Sequence, residues 1–413
     1  MKINLKTLNQ KENIITPPVI FVMFFTLYNF AIIIERMLFD NGTENIYSNY
    51  LFFKIVLLGL LSLLGYYSAY IFIKRNKYLC TKDRRSDKII FYTVIMVFLV
   101  SFIICAISLF KANMIYLQNY DIGISFTYNN PVFSYAKEIC VFSLAVIIYL
   151  CLYVYNRLFF AIIITVLLLI LSILVGDKDI VLLSLVSWIP TANNILRKIK
   201  IYKSFKYMSI FIVVIILVPI TGYLFSNLTR TNKSVNYLFL KMKKKGIYED
   251  FDNRGPYYSL IDNLTNDTLE FKYGTSYVKG SVLWIPKAIW NNRPESLSDE
   301  YAREKISNWK PGQGLGYNLM SEAYINFGYL GGFIQYFLIA VIIIFSERFI
   351  YIVFQRKTVS VYGIFYIWLI YNLIIMHRGD FVLPSSFIRY LLPFAFMFFF
   401  LKGALLLKKK VIT

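Results

Sequence analysis

The sequence predicts an all-α polytopic membrane protein with about ten transmembrane helices and one large external loop, and three features predict it. Hydrophobic residues occupy 58% of the 413 positions, including 37 Phe and 34 Tyr, more apolar surface than a water-soluble fold of this length hides. The apolar residues gather into runs at 17–38, 51–73, 89–110, 138–155, 158–175, 179–195, 207–225, 326–346, 359–376 and 386–401, each near the length of a tilted membrane helix. The formal net charge of +21 is spread over the short segments between these runs. That is the positive-inside pattern of membrane topology and lacks the single basic stripe of a nucleic-acid-binding module.

Taken in chain order, the start "MKINLKTLNQKENIITPPVIFVMFF" is basic and then apolar, like a signal sequence. It has no small-residue cleavage site, and its apolar run is long enough to span, so it reads as a retained first helix. The segment 74–88, "KRNKYLCTKDRRSDK", carries seven Lys/Arg, and 196–206, "LRKIKIYKSFK", carries five. With "ERFIYIVFQRK" and the terminal "LLLKKK" they belong on one side of the membrane together with the N-terminus. An even number of spans then puts both termini in the cytoplasm and 40–50, 111–132, 176–178, 226–325 and 377–385 outside. The chain accordingly divides into an N-terminal membrane part of about seven helices, 1–225, a large outer loop, 226–325, and a C-terminal membrane part of about three helices, 326–413. The loop holds 14 Lys/Arg and 11 Asp/Glu with many Tyr, Trp and Asn, the composition of a small folded helical element. Within it, "NYLFLKMKKKGI" has apolar residues at helical spacing opposite lysines, as a helix lying in the membrane interface does.

Catalytic signatures are sparse. There is no P-loop, GxSxG elbow, HExxH or dinucleotide fingerprint, and His377 is the one histidine, so a Ser/His/Asp triad has no other base to use. Cys80, Cys105, Cys140 and Cys151 form no CxxC or Cys/His cluster, which predicts neither a disulfide framework nor a metal site, and no cofactor. The spans are almost free of ionisable groups, against the expectation for a cation channel or a proton-coupled transporter. Charges gather at the external rim instead, as Arg230, Arg254, Arg293, Arg303, Arg378 and Arg389. A guanidinium keeps its charge and presents a planar fork of donors suited to phosphate oxygens. Surface arginines also serve as solvated charges, partners of loop acids or headgroup contacts. Arg389 differs from the others because it lies about one turn inside a span, where an unpaired charge is costly.

"PGQGLGYNLMSEAYINFGYLGGF", preceded by "VLWIPKAIWNNRPES" and followed one span later by "HRGDF", resembles the Wzy-type O-antigen polysaccharide polymerases. The resemblance is strongest over about 280–400. It implies a GT-C-like fold at the bacterial inner membrane and a metal-independent glycosyl transfer. The growing glycan would pass from undecaprenyl diphosphate to the sugar of a new lipid-linked unit. The partners implied are the undecaprenyl-diphosphate-linked oligosaccharide and the bilayer, with a chain-length regulator left open and no nucleic acid. Arg254, Arg293 and Arg378 become the diphosphate clamp, and Glu322 the group that orients or deprotonates the acceptor hydroxyl. Arg230, Arg303, Arg389 and His377 become substrate-binding residues, with Tyr317, Tyr324 and Trp290 as surfaces for sugar faces. Lys178 joins them from "VGDKD", where related proteins carry Gly-x-Arg; it retains the charge without the fork.

Two readings of the first stretch stay open. Glu322, with Ser321, is also placed to favour and cap the N-terminus of the eighth span. Gly312, Gly314 and Gly316 suit positive φ and close backbone approach, and Gly328, Gly331 and Gly332 suit tight helix packing. The alternatives in function are an O-antigen ligase, a non-enzymatic transporter or flippase of lipid-linked glycans, and an envelope scaffold. Ligases of that kind generally carry a functional histidine in the large loop, and 226–325 contains none. A flippase needs polar groups along its whole path, and here they stop at the rim.

The charge pattern makes a topology prediction. A reporter fused near residue 260 is expected outside the membrane and one fused near residue 80 in the cytoplasm; finding both on one side overturns the ten-span order.

Overall fold

The computed structural model describes residues 15–39, 49–73, 87–112, 126–175, 177–198, 254–266, 268–287, 289–310, 314–356 and 361–412, and among these it is helical without strands. The helices are α1 Pro17–Phe39, α2 Asn49–Phe72, α3 Asp87–Lys111, α4 Pro131–Tyr149, α5 Leu158–Val175, α6 Lys178–Lys198, α7 Arg254–Thr265, α8 Thr275–Val282, α9 Leu297–Lys305, α10 Leu319–Arg356, α11 Val361–Ile375 and α12 Leu383–Ile412. A π-helical turn, Leu150–Val154, extends α4, and a 3₁₀ turn, Met376–Arg378, closes α11. Among the described residues five helical stretches are long and apolar enough to cross a membrane: Tyr50–Phe72, Lys88–Lys111, Pro131–Leu152, Leu319–Glu347 and Leu383–Ala404. Shorter apolar stretches occupy Pro17–Phe30, Leu158–Ser172, Asp179–Asn193 and Gly363–Arg378. The expected seventh span, 207–225, and the segment "NYLFLKMKKKGI" lie outside the described residues.

Sequence chemistry explains where helices begin and bend. Proline opens α1 at Pro17 and α4 at Pro131, positions where a missing N–H is not needed. Ser296 caps α9 by accepting the Asp299 N–H. Asn318 caps α10, its Oδ1 accepting the N–H groups of Met320 at 2.7 Å and Ser321 at 3.3 Å. The cap expected from Ser321 and Glu322 is therefore made a few residues earlier, because the short amide of Asn318, just ahead of Leu319, reaches forward to the N–H groups of the first turn. Within α10 the backbone leaves helical geometry at Phe327 (φ −143°, ψ 23°) and Gly328 (φ 60°, ψ −145°). Only glycine adopts the second conformation readily, so Gly328 makes a kink where tight packing was expected.

The main membrane contact is α2 against α10. A Cβ on Gly65 would stand 2.2 Å from the Phe333 carbonyl oxygen, and one on Gly332 would meet Leu58 Cδ1 and Ser62 Oγ, each at 2.9 Å. With lipid outside, such backbone approach rather than hydrophobic exclusion drives the helices together. Polar side chains buried between the helices find partners within the bundle, as the low dielectric there favours: Asn29 Nδ2 donates to the Phe25 carbonyl one turn earlier at 2.7 Å, and Asn318 Nδ2, from a distant segment, donates to Asn29 Oδ1 at 2.9 Å. The outward faces are apolar, with Phe53 and Leu64 on α2, Phe102 and Phe110 on α3, and Phe159 on α5 all exposed, the surface of a chain that meets lipid.

Gly65→Leu is expected to lower the melting temperature of detergent-solubilised protein through an overpacking cost of about 1–3 kcal/mol. Gly403→Leu, where nothing lies within 4 Å of the added carbon, is expected to leave it unchanged. Equal melting of the two variants would remove the α2–α10 contact as a stabilising feature.

Candidate functional site

Four helices converge on a polar cavity of about 270 Å³. Because α4 begins at Pro131, Lys137 and Glu138 sit on its second turn. The turn between α5 and α6 supplies Asp177 and the first turn of α6 supplies Asp179; Asp177 Oδ1 accepts the Asp179 N–H at 3.0 Å and the Ser172 hydroxyl donates to the Asp177 carbonyl at 2.6 Å. Tyr371 and Asn372 enter from α11, and Ser385, Ser386, Arg389 and Tyr390 from α12.

Each carboxylate is held by a cation. Lys137 Nζ lies 2.8 Å from Asp177 Oδ2, Arg378 Nη2 donates to Asp179 Oδ1 at 2.9 Å, and Arg389 Nη1 donates to Glu138 Oε2 at 2.9 Å. Arg389 also lies over the Tyr135 ring, 4.6 Å from its centroid. Behind it, Arg293 Nη1 donates to the carbonyls of Leu283 and Ile285, and Arg389 Nη2 approaches the same Leu283 carbonyl at 3.5 Å. Lys137 and Arg389 thus line the cavity with Glu138, Asp177 and Asp179, while Arg378 and Arg293 lie beside it, Arg293 with Asp299 nearby. The buried Nε–H groups of Arg293 and Arg389 have no acceptor among the described residues, and a buried donor without an acceptor calls for a ligand or a water.

Burial, and beyond it the nearby Arg389, pull Arg293 below the ordinary guanidinium pKa. Burial acts to raise Asp177, but Lys137, the Asp179 N–H and Arg378 outweigh it and hold the carboxyl below its usual range. Half-buried pairs of this kind gain about 4 kcal/mol of attraction at an effective dielectric of 20, and desolvation offsets much of that.

A second network holds the turn that carries Arg378. The Tyr317 N–H donates to the Arg378 carbonyl at 3.1 Å. Gly316, at φ +80°, allows this approach, since a Cβ there would lie 2.8 Å from the Arg378 oxygen. Glu322 is fully buried; its Oε1 accepts the Ser276 hydroxyl at 2.7 Å and its Oε2 the Phe381 N–H at 2.6 Å. Asn326 extends the network, donating to Ser276 Oγ at 2.7 Å and accepting the Gly274 N–H at 2.8 Å. Asp380 Oδ2 accepts the Leu297 N–H at 2.8 Å. Burial, with the carboxylates of Asp299 and Glu300 nearby, pushes the Asp380 carboxyl up to about 6.

Of the residues expected from the sequence, Arg293, Arg378 and Arg389 gather at or beside the cavity. Glu322 does not line it and acts on the Arg378 turn from behind. Arg230 lies outside the described residues; Arg254 opens α7 and Lys178 opens α6, with side chains outside those described. Arg303 pairs with Glu295 at 2.8 Å on the exposed face of α9. His377 is buried against Phe21, 4.6 Å between centroids, and stacks on Tyr28. The buried Tyr317 hydroxyl accepts from Asn263 Nδ2 at 2.6 Å. Tyr324 packs on Phe271 and Tyr329, and Trp290 is exposed. Lys137, Glu138, Asp177 and Asp179 were not foreseen. Their signal was present, in a Lys-Glu pair at the head of an apolar run and in the acids of "VGDKD", because charge beside a span asks for a partner. Among the described residues no three His, Cys, Asp or Glu side chains gather as a metal ligand set.

The profile of the family described as O-antigen polysaccharide polymerase Wzy matches residues 3–410. No curated protein and no solved structure matches the chain.

Asp380 makes stability pH-dependent with a defined sign. Its folded pKa is raised, so its contribution is fully present below the unfolded value near 3.8 and is lost as pH rises through about 6. Asp380→Asn, which mimics the neutral acid, is expected to be more stable than the parent at pH 7.5, by on the order of 3 kcal/mol, and equal to it at pH 4. Parallel melting temperatures at both pH values would refute this.

Proposed function

The chain belongs to the Wzy family of O-antigen polysaccharide polymerases, and on that premise we propose that it joins repeat units carried on undecaprenyl diphosphate, with the arginine cavity holding the diphosphate. The family acts on lipid-linked oligosaccharide repeat units in a membrane. The observation that carries the reading is a cluster of cations, Lys137 and Arg389 in the cavity lining and Arg293 and Arg378 beside it, in which the Nε–H donors of Arg293 and Arg389 are unmet among the described residues. A diphosphate supplies the missing acceptors.

In the proposed reaction a hydroxyl oxygen of the incoming unit forms a bond to the anomeric carbon of the growing glycan. The bond from that carbon to the diphosphate oxygen breaks, and the lipid diphosphate leaves with the electron pair. Arginines stabilise the charge that develops on the leaving oxygen without a metal ion. The hydroxyl proton passes to a carboxylate. Asp179 is our candidate, because at 38% side-chain exposure it is more open than Glu138 at 25% or Asp177 at 23%, and Arg378 would release it on turning to the diphosphate. Glu322 serves here as a positioning residue. We place the chain in the bacterial inner membrane with about ten spans in a GT-C-like arrangement, 1–225 and 326–413 in the bilayer, 226–325 outside and both termini cytoplasmic.

Arg378→Lys and Arg389→Lys are each expected to cut polymerisation at least about tenfold, since lysine keeps the charge and loses the fork. Arg303→Lys, on the exposed face of α9, is expected to be silent. The readout is long-chain glycan on a gel from a deletion strain complemented at matched membrane abundance. Polymerisation by purified protein is expected to survive EDTA. Normal chains from both cavity variants, or a strict need for a divalent cation, would defeat the mechanism.

A further inference from the structure

A second cavity, of about 490 Å³, lies between α7, α9 and the start of α10, in the segment that precedes the last membrane helices. Its composition is unlike that of the arginine site. The floor is apolar and aromatic, formed by Leu297, Tyr301, Tyr317 and Ile325, with Tyr301 and Tyr317 edge to face at 5.9 Å between centroids. The wall is polar. Asp262 Oδ2 accepts the Tyr301 hydroxyl at 2.8 Å and pairs with Lys305 Nζ at 2.8 Å, while Asp262 Oδ1 takes no donor from the described residues. Asn263 turns its amide N–H groups toward the Ser259 carbonyl and the Tyr317 and Ser321 hydroxyls, at 2.8, 2.6 and 2.7 Å, which sets its plane and leaves its carbonyl oxygen for a ligand.

Lys272 and Lys305 face Asp262, Glu300 and Glu304, and no arginine lines the cavity, so it lacks the guanidinium fork that suits phosphate oxygens. Oriented carboxylate and amide oxygens accept the hydroxyls of a sugar, and tyrosine faces take its C–H surface. At roughly 30 Å³ per ring atom or hydroxyl, the volume of one water in the liquid, the space holds about one to two hexose rings.

We infer that this cavity is a saccharide-binding subsite for the lipid-free part of the glycan, separate from the diphosphate site; the inference rests on the polymerase reading above. The two sites share a turn. Tyr317 and Leu297 line the saccharide cavity with their side chains, while their backbone N–H groups hold the Arg378 carbonyl at 3.1 Å and the Asp380 carboxylate at 2.8 Å. A sugar seated on Tyr301 and Tyr317 thus presses on the segment that presents Arg378 to the diphosphate.

The test uses the purified full chain in lipid nanodiscs. The probes are the source bacterium's own polysaccharide released from its lipid by mild acid, dextran as a foreign glycan, and inorganic diphosphate. Thr265→Trp fills the cavity from an exposed rim position, and Asp262→Asn removes the charged acceptor without changing shape. Both are expected to weaken binding of the native glycan at least about tenfold, the scale of one hydrogen bond to a charged group, and to leave inorganic diphosphate binding unchanged. Arg389→Ala is expected to do the reverse. Unchanged glycan affinity in a monodisperse Thr265→Trp protein, equal binding of dextran, or no glycan binding by the parent overturns the subsite. Diphosphate binding that ignores Arg389 overturns the polymerase mechanism instead, so the two failures are distinguishable.

Discussion

The buried carboxylate of Glu322 ties three distant segments together, and the placement of the cationic cavity depends on that tie. One oxygen takes the Ser276 hydroxyl from the start of α8, and the other takes the Phe381 N–H from the turn after α11. A carboxyl group suits this position because each of its two oxygens can receive a donor. An amide would turn a donor toward one of those donors. The turn so held exposes Arg378 toward Asp179 and passes its carbonyl to Tyr317.

The glycines around this tie follow from the same constraint. Gly316 must accept a carbonyl at contact distance with positive φ, and Gly255 lies so close to Leu315 that a Cβ would stand 1.8 Å from its carbonyl oxygen. Gly280 meets the Phe381 carbonyl in the same way, at 2.5 Å. These are contacts of backbone with backbone, made where a loop segment closes over helix ends, and side chains would hold the strands of the turn apart. Helices α7 to α9 are also tied to the ends of α10, α11 and α12 by hydrogen bonds between main-chain groups and buried side chains, as from the Leu297 N–H to Asp380 and from Ser385 to the Gly280 carbonyl.

The cavity illustrates how charge is kept at a membrane boundary. Arg389 sits within α12 but meets Glu138 on α4, and Lys137 on α4 meets Asp177 in the next turn region. Each pair joins different helices, so the pairs fix helix register as well as neutralising charge. The surplus positive charge from Arg293 is held by two carbonyls, Leu283 and Ile285, rather than by a carboxylate. The Nε–H of Arg293 and that of Arg389 have no acceptor among the described residues, a state suited to an anionic guest.

Much of the architecture was legible in the residues themselves. The apolar runs marked α1 to α6 and α10 to α12, because a helix that meets lipid is apolar over most of its length, and Gly316, Gly331 and Gly332 marked close contacts. The arginine-bearing motifs were also legible, since a guanidinium near the membrane needs an anion. What one sequence could not disclose was which charges meet. Arg378 and Asp179 are 199 residues apart, and Arg389 and Glu138 are 251 apart; no local spacing encodes such a pair, and Glu138 stood at the edge of a run whose helix in fact begins at Pro131. Likewise the double contact of Glu322 and the capping role of Asn318 arise only when α8 and the turn after α11 fold onto the head of α10. Helices are determined by short-range periodicity, whereas a site at their ends is determined by how those helices cross, and crossing depends on packing between residues far apart in the chain.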